Sequence, residues 1–360
     1  MHNSSNKHLK LARNNVIDLR SDTLTMPDDK MLKTILSAKL GDDGRTDEAG
    51  RGEDLTVNEL EDLAAAMTGK EEAILFSSGT LANTAAILTW CAPGDKVLVD
   101  EIQHILLTEK VVFDKSFGQL NPVQYKLNEK NTPSLDSLKE LFKQNKISLL
   151  CVENTHNFSG GTCLTVDELR EINKTARSFK VPVHMDGARI FNASVALGVE
   201  VKEICTHVDS LMFCISKGLG APVGSLLCGS REFIKKARVK RKLLGGNMRQ
   251  AGIIAAPGIY ALKNNIERLK EDHDNARYVS DNLKGMKKIN VQKNVESNIV
   301  MLDVSKTGIT PELFCLKAKE KGLLIRPIIG NNIRLVFYKG ISREDAAGAV
   351  KIIRDIDSSL

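Results

Sequence analysis

Between Glu71 and Gly229 the chain alternates short β-rich runs with segments of helix length, and this alternation restricts the fold more than any other feature. The runs are "AILF", "KVLVD", "ISLLCVEN", "VPVHM", "SLMFCI" and "VGSLLCG". Strands separated by helices build a largely parallel sheet covered on both faces, whose strands are apolar along most of their length. Helix starts are marked between them. Thr56 and Glu59 in "TVNELEDLAAAMTGK" have capping-box spacing with Gly69 as the expected stop, and Thr165 and Glu168 repeat the device. Beyond about Asn247 one long helical stretch is expected to reach roughly Leu283. After it the strands "INVQK", "NIVMLDV", "LLIRP" and "NIRLVFY" interleave with helices at "PELFCLKAKEK" and "SREDAAGAVKIIRDI". The expected class is α/β: a flexible arm over residues 1–15, a large domain over 16–265, and a smaller carboxyl-terminal α+β domain over 266–360.

Composition narrows the function classes. The net charge of +6 is spread among acidic residues, and the densest basic run is "KKARVKRK", Lys235 to Lys242. That run reads either as a solvated helix face or as a surface for an anion or a second subunit. Aromatic residues make up 4%, too few to stack single-stranded nucleic acid, so no nucleic-acid partner is expected. Seven cysteines stand singly in apolar contexts, without a C-x-x-C pair or a His-Cys cluster. This favours reduced core thiols, a cytoplasmic location and no metal. The polar amino end lacks the apolar run of a signal peptide, and no segment has the length of a membrane span.

In open α/β sheets ligands bind outside the carboxyl ends of the strands. Four groups fall there. "ILFSSGTLAN" sets Ser78, Gly79 and Thr80 between a strand and a helix, either as an ordinary turn and N-cap or as backbone N–H donors for a phosphate. "VLVDEIQHILL" sets His104 just past another strand; "VPVHMDGARIF" and "FCISKGLG" do the same for Asp186 with Arg189 and for Ser216 with Lys217. A lysine between an apolar strand and a glycine-rich turn is suited to condense with a carbonyl group. One ligand accounts for all four groups. Pyridoxal phosphate needs a lysine for its aldehyde, a carboxylate for its ring nitrogen, donors for its phosphate and a flat group over its ring. Those are Lys217, Asp186, the Ser78–Thr80 turn and His104. No G-x-G-x-x-G follows a strand and no G-x-S-x-G is present, which disfavours a dehydrogenase and a serine hydrolase.

The motifs "DLRSDT", "GEDLTVNELE", "SSGTLAN", "ENTHN", "HMDGARIFNA", "SKGLGAPVGS", "GGNMRQAGI" and "EDHDNA" resemble those of the threonine aldolases. These are pyridoxal phosphate enzymes of the aspartate-aminotransferase fold class, fold type I. The resemblance runs from about Val16 onward and is strongest from Glu153 to Ala276. It implies cleavage of a β-hydroxy-α-amino acid to glycine and an aldehyde. It gives Lys217 the cofactor, Asp186 the ring nitrogen, Arg189 the ring oxygen, and His104 the ring face with a share in removing the hydroxyl proton. Arg334, helped by Ser21, would bind the substrate carboxylate with two parallel donors. Lys242 and Arg249 would reach a neighbouring subunit's site in a homo-oligomer, dimer or tetramer.

Two departures bear on substrate. Where many members have a short Asp-Asp-x-Tyr-Gly-Glu-Asp segment, this chain has the longer "GDDGRTDEAGRGEDLTVN" without the tyrosine. It is either a mobile loop without chemistry or a substrate-side lid in which Arg45 or Arg51 replaces the aromatic ring. The histidine that members often carry before "ENTHN" is missing, which puts phenylserine beside threonine and allo-threonine as a substrate. Another reaction on the same scaffold, β-elimination or racemisation, and a non-catalytic relative are the alternatives.

Overall fold

A computed structural model describes residues 16–48 and 50–360. The expected arm over residues 1–15 lies outside the described residues. The strands are β1 (Ile17–Asp18), β2 (Glu72–Phe76), β3 (Lys96–Asp100), β4 (Asn121–Tyr125), β5 (Leu149–Glu153), β6 (Val183–Asp186), β7 (Ser210–Cys214), β8 (Ser225–Gly229), β9 (Asn290–Val291), β10 (Ile299–Asp303), β11 (Leu323–Leu324), β12 (Arg326–Pro327) and β13 (Asn332–Val336). The longer helices are α1 (Leu55–Thr68), α2 (Gly79–Trp90), α3 (Leu135–Gln144), α4 (Val166–Ser178), α5 (Ile190–Leu197), α6 (Arg231–Leu243), α7 (Gly252–Asn264), α8 (Leu269–Leu283), α9 (Pro311–Glu320) and α10 (Arg343–Ser359).

The chain divides into two compact units. The larger, Thr23–Lys270, holds a seven-stranded sheet in the order β2-β8-β7-β6-β5-β3-β4. Strands β7, β6, β5, β3 and β4 are mutually parallel, and β8 runs against both β7 and β2. The inner strands β5, β6 and β7 are buried at every position, the pattern of a sheet covered on both faces. Strand β4 lacks that signature. It carries Pro122 and mostly exposed residues, which an edge strand tolerates because its outer N–H groups need no ladder partner.

The smaller unit comprises residues 16–22 and Glu271–Leu360. It contains a four-stranded antiparallel sheet, β12-β13-β10-β9, and the parallel pair β1-β11. The expected division at 265/266 therefore falls five residues before the observed one, and β1 sits apart from the large domain it was grouped with. Ile17 is in register with Leu323, and the Leu19 carbonyl accepts the Val336 N–H.

Two helix boundaries differ from the sequence reading. Asp54, not Thr56, caps α1: its Oδ1 accepts the N–H groups of Thr56 and Val57, while the Thr56 hydroxyl accepts from Lys39 N. An aspartate two residues earlier takes the cap because a carboxylate reaches two free N–H groups at once. The stop at Gly69, in the left-handed region at φ 67°, is as expected, and Thr165 and Glu168 form their capping box. The single helix expected over 247–283 is two. The chain leaves α7 at Asn265, whose buried amide donates to the Leu219 carbonyl at 2.7 Å instead of solvating a continuing helix.

The basic run lies on α6, and two of its arginines turn inward. Arg238 Nη2 is 2.5 Å from Glu61 Oε2, and Glu61 Oε1 accepts the Leu75 N–H. Arg241 donates to the Leu75 carbonyl and meets Asp43 Oδ2 at 2.8 Å, an ion pair without hydrogen-bond alignment. Burial raises the pKa of Asp43, and Arg241 opposes that rise. Removing one partner of such a pair strands a buried charge. Arg238→Ala should therefore lower unfolding free energy by about 3–5 kcal/mol. Arg231→Ala, which breaks an exposed pair with Glu72, should change it by less than about 1 kcal/mol. Urea unfolding of the two variants checks the contrast, and equal losses would refute it.

Candidate active site

Because β3, β5, β6 and β7 are parallel, their carboxyl ends share one edge of the sheet. Those ends are Asp100, Glu153, Asp186 and Cys214. Glu153 is in register with Asp186, and Asp186 with Met212, so neighbours stand one strand spacing apart, about 4.8 Å. Lys217 follows β7 by three residues, in a turn where Gly220 N donates to the Lys217 carbonyl.

Asp186 is 2% exposed. Its Oδ1 accepts the Ala188 N–H at 3.0 Å and its Oδ2 the Asn83 amide at 3.1 Å. A carboxylate has roughly four acceptor positions, so two such bonds leave capacity for a further donor, as a protonated ring nitrogen requires. Asp186, Lys217 and Arg189 all act on the thiol of Cys214, whose pKa burial raises; Lys217 and Arg189 pull it down and Asp186 pushes it up. Arg189 is buried, donates to Asn157 Oδ1 at 3.0 Å and stands at the N-cap of α5.

His104 is partly buried just beyond β3. Its backbone N–H donates to Glu153 Oε2 at 2.9 Å, which fixes the start of a single π-helical turn, Ile105–Glu109. That turn brings Glu109 Oε1 to 3.1 Å from His104 Nδ1. One nitrogen of His104 and one oxygen each of Glu109 and Asp186 lie within 4.8 Å of one another. Burial lowers the imidazole pKa, but the Glu109 bond and the charges of Asp186 and Glu153 outweigh it, and the net shift is upward. The ring of Phe158 lies near-parallel to His104 at 6.2 Å.

At the other end of this edge, Ser78 caps α2, its hydroxyl accepting the Leu81 N–H, and Ser78 and Thr80 are exposed. Gly79 marks a close approach: a Cβ there would lie 2.8 Å from Met212 Cε and 3.0 Å from Cys214 Sγ. The N-terminus of α2 therefore rests against the end of β7. The residues present fit a phosphate-bearing pyridine aldehyde. Ser216 lies in the turn next to Lys217 and is partly buried. In the smaller unit Arg334, on β13, is buried and donates to the Arg20 carbonyl, next to Ser21. Lys242 and Arg249 are exposed, and Arg249 pairs with Asp42 at 2.5 Å.

Several participants escaped the sequence reading. Asn83, Glu109, Glu153, Asn157, His184 and Ser210 all touch this cluster or its neighbours. Two signals could have found some of them. His184 stands two residues before Asp186 and so on the same face of β6, and Asn83 lies one helical turn after Gly79. His184 is fully buried, with Nδ1 2.9 Å from Ser210 Oγ and Nε2 3.1 Å from Asn83 Oδ1, and burial pushes its pKa down to about 4.

The profile of the beta-eliminating lyase family matches residues 18–307. The low specificity L-threonine aldolase of Escherichia coli K12 is 40% identical over 337 residues, 92% of this chain and 96% of that one. The chain belongs to the threonine aldolase family of beta-eliminating lyases. Low-specificity L-threonine aldolase 1 of Arabidopsis thaliana is 37% identical over 339 residues, covering 91% of this chain and 93% of its own. The solved threonine aldolase of Leishmania major, at 16% identity, shares the fold with a TM-score of 0.76 over 94% of this chain and 99% of that one. The protein is therefore a lyase on the fold-type-I scaffold of pyridoxal phosphate enzymes. No helix among the described residues is long and apolar enough to cross a membrane.

The buried neutral His184 has a consequence for stability. Its folded pKa lies below the ordinary 6.5, so the unfolded chain binds the extra proton first. Its contribution is complete above pH 6.5 and is lost as pH falls toward 4, on the order of 3 kcal/mol in all. Urea unfolding at a series of pH values should show this acid slope in the native protein and a shallower one in His184→Gln. Parallel slopes would assign the loss to other groups.

Proposed function

We propose that this protein is a pyridoxal-phosphate-dependent aldolase that splits a β-hydroxy-α-amino acid into glycine and an aldehyde, with threonine, allo-threonine and phenylserine as its substrate class. The observation that carries the reading is the buried Asp186 carboxylate at the end of β6, which accepts from Ala188 N and from the Asn83 amide, with Lys217 in the turn that follows the neighbouring strand β7. When bound, the cofactor supplies a sink for the electron pair released as the Cα–Cβ bond breaks.

The rest of the work falls to side chains. Lys217 would hold the cofactor through its amine, and the N–H groups at Ser78, Gly79 and Thr80 would take its phosphate, with Ser216 beside them. Asp186 would pair with the ring nitrogen and Arg189 with the ring oxygen. His104, held by Glu109 at Nδ1, would face the ring and take the substrate hydroxyl proton, directly or through a water. Arg334, helped by Ser21, would bind the substrate carboxylate. The same reading makes the protein a cytoplasmic homo-oligomer, dimer or tetramer, in which Lys242 and Arg249 serve a neighbour's site.

The holoenzyme should be yellow and release glycine from one or more of threonine, allo-threonine and phenylserine. Lys217→Ala should lose the chromophore and reduce glycine release to background, and borohydride should fix the label on Lys217. Ammonia with a keto acid, or the mirror-image amino acid, as the main product would replace this reading with elimination or racemisation. For His104, a base must be neutral before it can accept a proton, and its carboxylate neighbours raise its pKa. On the acid side kcat should fall with an apparent midpoint above the ordinary 6.5, and His104→Asn should remove that limb. An unchanged limb in the variant would assign the base elsewhere.

A further inference from the structure

The face of α2 toward the sheet carries Asn83 and Trp90, seven residues and about two turns apart. Opposite them, His184 of β6 and Ser210 of β7 are register partners, and Asp186 lies two residues beyond His184 on the same face. Asn83, His184 and Ser210 are at most 1% exposed, so water does not compete for their hydrogen bonds. The contacts form an unbroken series: Trp90 Nε1 to Ser210 Oγ at 2.8 Å, Ser210 Oγ to His184 Nδ1 at 2.9 Å, His184 Nε2 to Asn83 Oδ1 at 3.1 Å, and Asn83 Nδ2 to Asp186 Oδ2 at 3.1 Å. The same Nδ2 is 3.2 and 3.3 Å from the two carboxylate oxygens of Glu109.

The series has one sense. An amide has two N–H donors and one carbonyl oxygen, and here two carboxylates face one end of it. Turning the Asn83 amide over would bring its oxygen against both acids with no proton between them, so the NH2 faces Asp186 and Glu109 with one hydrogen for each. Oδ1 then faces His184, and Nε2 must carry the proton. A neutral ring protonated at Nε2 has a bare Nδ1, which can only accept, and Ser210 supplies the hydroxyl proton. The serine oxygen is left to accept from Trp90, whose indole N–H only donates. Stacking of Trp90 on Phe233 at 4.9 Å holds the indole in place. The low pKa of His184 agrees with the neutral ring.

We propose that Trp90, Ser210, His184 and Asn83 form a one-way hydrogen-bond chain that positions the active-site acid. It turns the Asn83 amide onto Asp186 and Glu109, so that Asp186 stays an ionised acceptor aimed at the cofactor's ring nitrogen. The inference rests on the proposed role of Asp186. The four are positioning residues: they act through the acid.

The native protein gives the first test, without substitution. In holoenzyme labelled with 15N-histidine, the resonances lost in His184→Gln should report Nε2 protonated and Nδ1 bare at neutral pH. A ring protonated at Nδ1, or at both nitrogens, would overturn the chain. The second test uses variants. Asn83→Leu and His184→Leu should each weaken binding of pyridoxal phosphate to the apoenzyme by about tenfold and lower kcat by a similar factor, with KM for the amino acid changed less than about twofold, the loss expected for one charge-assisted hydrogen bond. His184→Gln can accept from Ser210 and donate to Asn83 in the same sense, and should recover most of both losses. Wild-type cofactor affinity and kcat in the leucine variants would also overturn the proposal. Asp186→Asn separates the layers. If it too is indistinguishable from wild type, the role of Asp186 itself is wrong. If it alone loses cofactor affinity and activity, only the chain behind it fails.

Discussion

Burying one carboxylate almost completely is the constraint around which the large unit is arranged. A buried carboxylate left without donors costs several kcal/mol. At Asp186 two donors meet it on the protein side, one from the backbone two residues on and one from α2. For Asn83 to reach it, α2 must cross the sheet at close range. Gly79 eases that approach, since a Cβ there would press on Met212 and Cys214. The same close packing brings the N-terminus of α2 to the end of β7.

The strand ends gather acids: Asp100, Glu153 and Asp186, with Glu109 close by. Like charges at this spacing would repel strongly if each were bare. Each instead has a donor from the chain that leaves its own strand. Ile102 N donates to Asp100, the N–H groups of His104 and Asn157 donate to Glu153, and Ala188 N donates to Asp186. Between the acids sit rings and amides that carry protons. His156 lies between two of them, with Nδ1 3.2 Å from Ser159 N and Nε2 3.2 Å from Asp100 Oδ2. Crowding still leaves a trace. Burial raises the pKa of Glu153, and Asp186 adds to the rise while His156 and His104 oppose it. An edge so rich in acidic groups suits the cations Lys217 and Arg189.

What could be read from the residues follows from which interactions are local in sequence. The parallel sheet was legible because buried strands are continuous apolar runs, and the candidate site residues stand out because they fall in the few positions just past those runs. Strand β4, with Pro122 and polar neighbours, carries no such run and is held by its pairing to β3. Residues 17–22 read as the start of the large domain because they precede it, yet their hydrogen-bond partners lie some three hundred residues on, and no local pattern encodes that. Asn83 and His184 were missed for a related reason. Each sits inside an element as an ordinary polar residue, and its role comes from a contact about one hundred residues away. The Thr56 cap failed differently: the spacing was right, but the helix already begins at Leu55 with Asp54 as its cap.

The stretch that departs most from the family pattern, Gly41 to Asp54, gains its order from partners outside itself. Asp54 spans three elements, capping α1 and accepting the N–H groups of Gly41 and Gly252. Asp43 is drawn inward to Arg241, and Gly44 leaves room that a Cβ would take from the Arg249 guanidinium, 2.2 Å away. On the outer side Arg51 forms a two-pronged pair with Asp62 and donates to the Asn58 carbonyl, so its charge is already committed. Arg45, whose nearest pairing is a 3.7 Å contact with Asp42, keeps its side chain largely in solvent. Of the two arginines, Arg45 is thus the more exposed. On its inner side the loop is held by Arg241 of α6 through the ion pair with Asp43.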